Sequence, residues 1–299
     1  MPSRATHANR LWGDTLAKME ARTASRLQLF ATALLFSTGG TAIKAVRLTG
    51  WQVASLRSLI AAASIALLVP AARRWTWKSV LVGAAYSVTL VFYVLANKLT
   101  TAANAIFLQY TAPLYLIVLG PWLLREKVRR SDLWYLTSLA VGMSVFFLAR
   151  QNPLPTATDP AAGNLLGALS GASWALTIAG LRWLEKQTGT AEHGLAAVAA
   201  GNLITGIACL PKTLPVTGAS LTDWMVILYL GVFQIGLAYA FLTRAVRYAP
   251  ALESSLLLCA EPALNPLWAW LVHDEKPGAA ALAAGALILT ATIIKTIKE

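Results

Sequence analysis

Two stretches of the chain, Pro113 to Lys127 (PLYLIVLGPWLLREK) and Pro262 to Lys276 (PALNPLWAWLVHDEK), stand in register at a constant shift of 149 residues. The shift sets Pro113 on Pro262, Glu126 on Glu275 and Lys127 on Lys276 with no gap between the pairs, which is the mark of an internal duplication. Each proline lies inside an apolar run of about 20 residues, long enough to cross a bilayer, and so falls near the midplane. A proline there removes one backbone hydrogen bond and displaces the carbonyl four residues earlier, Gln109 in one copy and Leu258 in the other. Freed backbone groups are tolerated at that depth only where protein or a water-filled cavity satisfies them. Two matched helix breaks, at Pro113 and Pro262, are therefore expected to meet at a transport site in mid-membrane.

Composition agrees with a membrane setting: 57% of residues are hydrophobic, 13% are charged, and the mean hydropathy is +0.59, well outside the soluble range. After a polar leader, 1–26, ten apolar segments follow: 27–46, 51–70, 79–97, 103–124, 132–149, 164–184, 194–210, 223–243, 253–272 and 278–295. The expected fold is an all-α membrane protein with ten transmembrane helices. Ten crossings return both termini to one side, and that side carries 18 Lys or Arg against six on the other. The bias places both termini in the cytoplasm, with the protein in the inner (plasma) membrane. Each half has five crossings, an odd number, so the second must insert upside down. The expected domains are thus two inverted five-helix repeats, 27–150 and 164–299, joined outside by a proline-bearing linker, 151–163. The net charge of +12 then belongs to cytoplasmic loops rather than to a nucleic-acid surface. Cys209 and Cys259 lie in apolar runs without metal or disulfide spacing and are expected to pack.

Helical period selects a candidate cavity. Segment 3 carries Tyr86, Thr89, Tyr93 and Asn97 on one face, and segment 6 places Ser170, Trp174 and Thr177 likewise. Segment 4 offers Asn104, Thr111 and Tyr115 on one face, with Gln109 and Tyr110 elsewhere; segment 9 offers Glu253, Glu261, Asn265 and Trp268 in one stripe. Any single hydroxyl more often bonds a neighbouring helix than a ligand. The coincidence of aromatic and amide groups on four helices favours a cavity, since pockets combine apolar walls with few polar groups. Segments 5 and 10, almost without polar side chains, are expected to be scaffold or dimer contact, and the oligomeric state stays open.

Charges within the apolar segments divide further. Glu261 adjoins the midplane proline, and its counterpart in the first copy is Ala112, so the duplication does not require the carboxylate. It is the candidate for proton coupling or ammonium binding. Arg57 lies near enough to the outer end of segment 2 to reach water, so structural and functional roles are even. Glu126 and Glu275 close their helices beside basic residues and are expected to make structural hairpin contacts. The three histidines, His7, His193 and His273, fall outside the apolar segments, which leaves an intramembrane hydrolase without a base at depth. No Walker A sequence, cofactor motif or metal spacing is present.

Two five-helix repeats, with Arg57 in the second helix, Pro113 with Glu126, and Glu261-Pro262 with Glu275, resemble the drug/metabolite transporter superfamily, specifically proteins with paired EamA domains. The resemblance covers about residues 27–295 and extends to the aromatic amino-acid exporters within that superfamily. It implies a small-metabolite exporter, of amino acids including aromatic or apolar ones, working by alternating access with the substrate held between the halves. A passive facilitator or a drug exporter of the same fold is the alternative.

Overall fold

A computed structural model describes residues 23–119, 121, 133–148, 154–188, 192–245 and 257–298. Within these residues the structure is almost wholly helical, and the described part of every predicted apolar segment is mostly helix. Glu126, Lys127, Glu253 and the start of the 151–163 linker lie outside the described residues, as does most of the leader. The helices are α1 (23–37), α2 (Gly39–Ala45), α3 (Gly50–Leu68), α4 (Trp77–Leu99), α5 (Ala102–Gln109), α6 (Ala112–Leu119) and α7 (Leu133–Leu148) in the first half. The second half holds α8 (Pro160–Thr188), α9 (Glu192–Thr213), α10 (Leu221–Tyr229), a π-helical stretch Leu230–Leu237, α11 (Ala238–Ala245), α12 (Ala260–His273) and α13 (Ala279–Lys298). Among the described residues five spans are long and apolar enough to cross a membrane: Gly50–Leu68, Trp77–Leu99, Pro160–Gln187, His193–Thr213 and Leu221–Ala245.

Helix starts are fixed by side chains that satisfy the orphan amides of a first turn. Thr49 with Gln52, Thr76 with Ser79, and Ser220 with Asp223 form reciprocal capping boxes at α3, α4 and α10. Thr101 accepts from the Asn104 amide to start α5. Both prolines of the duplicated stretch sit just after an interruption. Tyr110 and Thr111 separate α5 from α6, and Cys259 forms the turn before α12. Pro113 and Pro262 therefore occupy the first turns of the helices that follow, where a missing amide leaves no intrahelical bond unmade. Tyr110 and Cys259 are themselves 149 residues apart, so the interruptions keep the register of the repeat. Pro266, by contrast, lies inside α12.

Helices of the two halves interleave. α4 packs on α8 and α9, α3 on α9 and on the π-helical stretch, α5 on α8 and α12, α2 on α12, and α7 on α13. The α4–α9 crossing is close: a Cβ on Gly83 would sit 2.8 Å from the Ala197 carbonyl oxygen, and one on Gly201 would sit 2.6 Å from that of Gly83. Small residues at such crossings are what allow helices to approach in lipid. α7 and α13 meet at Gly142, where a Cβ would lie 2.8 Å from Ile288 Cγ1.

Candidate substrate chamber

Between the two halves lies a cavity of about 120 Å³. α4 supplies Tyr86, Thr89, Leu90 and Tyr93; the α5–α6 interruption supplies Gln109 and Tyr110; α12 supplies Glu261 from the turn after the second interruption. Phe36, Arg57 and Trp174 complete the wall from α1, α3 and α8, and Gln234, Ile235 and Tyr239 from the π-helical stretch and α11. The two interruptions thus meet at one space. Tyr110 donates to Glu261 Oε2 at 2.9 Å.

Of the candidates named from the sequence, Tyr86, Thr89, Tyr93, Gln109, Tyr110, Trp174 and Glu261 line this space. The rest stand behind the wall or away from it. Asn97 is buried and donates to the Tyr93 carbonyl at 2.9 Å, while Asn265 Nδ2 lies 3.4 Å from the Tyr93 hydroxyl. Ser170 is buried between the Thr89 carbonyl, at 3.4 Å, and Gln109 Nε2, at 3.2 Å. Thr177 bonds the Ser173 carbonyl at 2.9 Å and faces the Thr89 hydroxyl at 3.4 Å. Trp268 donates to Ser37 Oγ at 2.9 Å, and the Tyr115 hydroxyl points to the Met143 sulfur at 3.7 Å. Asn97 and Thr177 bond carbonyls one turn back on their own helices, the Oδ1 atoms of Asn97 and Asn265 are buried without a hydrogen-bond partner, and Asn97, Asn265 and Ser170 each contact a lining residue.

The aromatic wall is continuous. Tyr239 donates to the Tyr86 hydroxyl at 3.0 Å, the two rings lie edge to face at 6.3 Å, and Trp174 lies 6.0 Å from Tyr86. Phe36 meets Tyr239 edge to face at 5.3 Å. Such arrangements suit ring quadrupoles and fix the wall's shape.

Arg57, for which the sequence leaves structural and functional roles even, lines the chamber, as do Gln234 and Tyr239, which were not selected from the sequence. Arg57 is 2% exposed, so it does not reach the surface as its distance from the segment end allowed. Among the described residues no carboxylate lies within ion-pair distance of it. The signal for Arg57 was its isolation, as the one charge in Gly50–Leu68. Gln234 and Tyr239 are five residues apart, which an α-helical period sets on different faces. A π turn closes on i→i+5 and swings such positions toward one side.

Glu275, expected to contact its own hairpin, instead reaches across the molecule. Its Oε1 accepts from the Ala102 amide at 2.5 Å and its Oε2 lies 3.2 Å from Lys44 Nζ. Among the described residues no group of three or more His, Cys, Asp or Glu side chains is placed to hold a metal ion.

Residues 161–297 match the EamA-like transporter family. The EamA-like match runs from α8 to α13. Over 213 residues the chain is 28% identical to the pseudopaline exporter CntI of Pseudomonas aeruginosa strain UCBPP-PA14, covering 71% of this chain and 70% of the relative. Over 211 residues it is 28% identical to the exporter of the same name from strain PAO1, again covering 71% and 70%. A solved crystal structure shares the fold with a TM-score of 0.63 at 21% identity, over 93% of this chain and 98% of the other. With its long apolar spans and its EamA-like region, the chain is a multi-pass membrane protein.

Proposed function

We propose that the chain is a secondary transporter that exports small metabolites, foremost amino acids with apolar or aromatic side chains, by alternating access between two inverted five-helix halves. The observation that carries the reading is the chamber itself, enclosed by tyrosines and a tryptophan and bearing Glu261 where the duplicated stretches are interrupted. Aromatic walls with few polar groups favour an apolar side chain. A carboxylate at depth offers a place for an ammonium group or a coupling proton.

The packing supports inversion. If the first five crossings correspond to the second five, α4 on α9 should be echoed by α3 on the π-helical stretch, and α5 on α8 by α2 on α12. Both pairs are present, and α3 on α9, α5 on α12 and α7 on α13 map onto themselves. A twofold axis relating the halves would produce such pairing, and inverted repeats are the means by which one site is exposed alternately to the two sides. The basic bias sets both termini in the cytoplasm and the linker outside. Export as the direction accords with the relatives named as exporters.

Purified protein in proteoliposomes loaded with radiolabelled phenylalanine tests the reading. Saturable efflux, competed by unlabelled apolar and aromatic amino acids, is expected. Efflux competed equally by unrelated drugs and by no amino acid would replace it with a drug exporter.

A further inference from the structure

Arg57 and Glu261 line one chamber, and neither neutralises the other by direct contact. Arg57 is fully enclosed, its Nε has no hydrogen-bond partner, and among the described residues no carboxylate stands within 4.0 Å of its guanidinium. Glu261 engages the Tyr110 hydroxyl through Oε2, and no hydrogen bond from the described residues reaches Oε1. Tyr86, Tyr93 and Tyr239 line the same chamber as both charges, so phenol rings and hydroxyls form much of its wall. A structural ion pair would have brought the charges together, because a buried charge is costly unless paired and hydrogen-bonded. Here both residues line the cavity, and neither has an ion-pair partner among the described residues.

We infer that the chamber selects a zwitterion: the Arg57 guanidinium receives the substrate's carboxylate while Glu261 receives its ammonium group. This deepens the transport reading above and rests on it. A guanidinium presents paired N–H donors that match the two oxygens of a carboxylate, which a lysine ammonium does not. A ligand with a carboxylate alone would set a second negative charge against Glu261. One with an ammonium alone would set a second positive charge beside Arg57. Only a dipolar ligand pairs both, and Tyr86 and Trp174 then remain to contact the side chain.

The test compares L-phenylalanine, L-phenylalanine methyl ester and 3-phenylpropionate as competitors of labelled phenylalanine efflux from proteoliposomes. Wild-type protein is expected to favour phenylalanine over either analogue by about tenfold or more, the order that loss of one charge-assisted hydrogen bond produces. Arg57→Gln should weaken phenylalanine by a similar factor and leave the ester unchanged, so that acid and ester become equivalent. Arg57→Lys should give an intermediate ratio. A folded Arg57→Gln protein with the wild-type ratio of acid to ester overturns the inference. Should that variant not fold, an Arg57→Lys ratio equal to wild type overturns it, and a lowered ratio with the ester unchanged supports it. Wild-type protein that moves phenylalanine and its ester equally overturns the inference while leaving the transport reading intact. Wild-type protein that moves no amino acid overturns both.

Discussion

Lys44 Nζ lies 3.2 Å from Glu275 Oε2, with both side chains buried, at 2% and 1% exposure. The pair ties the end of α2 to the stretch after α12, and so joins the two halves of the chain. Lys44 also donates to the Thr100 and Thr156 carbonyls at 2.7 and 2.5 Å. Glu275 accepts from the Ala102 amide in the first turn of α5, where the helix dipole favours a negative charge.

Removing one partner of a buried pair strands the other, at a cost of about 3 to 5 kcal/mol, whereas replacing both by apolar groups is often neutral. Glu275→Leu should therefore lower the thermal midpoint in detergent sharply. Lys44→Met with Glu275→Leu should recover most of that stability. A double variant no more stable than the single one would show that the pair does not act as a unit.

Trp174 and Tyr86 shape the aromatic wall, their rings 6.0 Å apart. Trp174→Ala opens space without touching Arg57 or Glu261. It should weaken phenylalanine several-fold, since each Å² of apolar ligand surface left unburied costs roughly 25 cal/mol, while affecting alanine little. Competition curves for amino acids of increasing side-chain size check this, and a uniform weakening across the series would contradict it.

α7 and α13 form a scaffold against which α5 rests. A Cβ on Gly285 would strike the Phe107 ring, so Gly285→Leu overpacks this crossing. Overpacking of this kind costs typically about 1 to 3 kcal/mol. Yield and thermal midpoint should fall, while the folded fraction keeps wild-type substrate preference; altered preference at normal stability would bring α13 into the substrate pathway.

These outcomes follow from features of unequal legibility. The helical segments were legible because a bilayer demands long apolar runs, and the paired interruptions because Pro113 and Pro262 share a register. The aromatic face of α4 was legible because Tyr86, Thr89 and Tyr93 repeat with helical period. Asn97 and Asn265 keep that same period, yet their amides serve Tyr93 rather than the chamber; period gives the face of a helix, and depth behind a neighbour is set by packing. Gln234 and Tyr239 escaped because the π-helical stretch Leu230–Leu237, which holds Gln234 and ends just before Tyr239, changes the period between them. The Lys44–Glu275 pair escaped because its partners are brought together by tertiary packing alone, with no spacing to announce it.

The linker between halves offers a direct reading of topology. Leu154 is 40% exposed. If the orientation proposed from the basic bias holds, Leu154→Cys in intact cells should react with a membrane-impermeant maleimide. Labelling only after permeabilisation would reverse the orientation.

Glu261 carries the central claim. Around it stand Tyr110 from the α5–α6 interruption, Tyr86 and Tyr93 from α4, Tyr239 from α11, Cys259 from its own turn, and Arg57 across the chamber. Glu261→Gln keeps size and hydrogen bonding but removes the charge and the site of protonation. The decisive measurement is the rate of phenylalanine efflux from proteoliposomes across a range of pH, for wild type and Glu261→Gln, with folding verified by thermal midpoint. The account predicts a stable variant whose transport falls by at least about tenfold and whose pH profile flattens. A stable Glu261→Gln protein with wild-type rate and wild-type pH profile would contradict it.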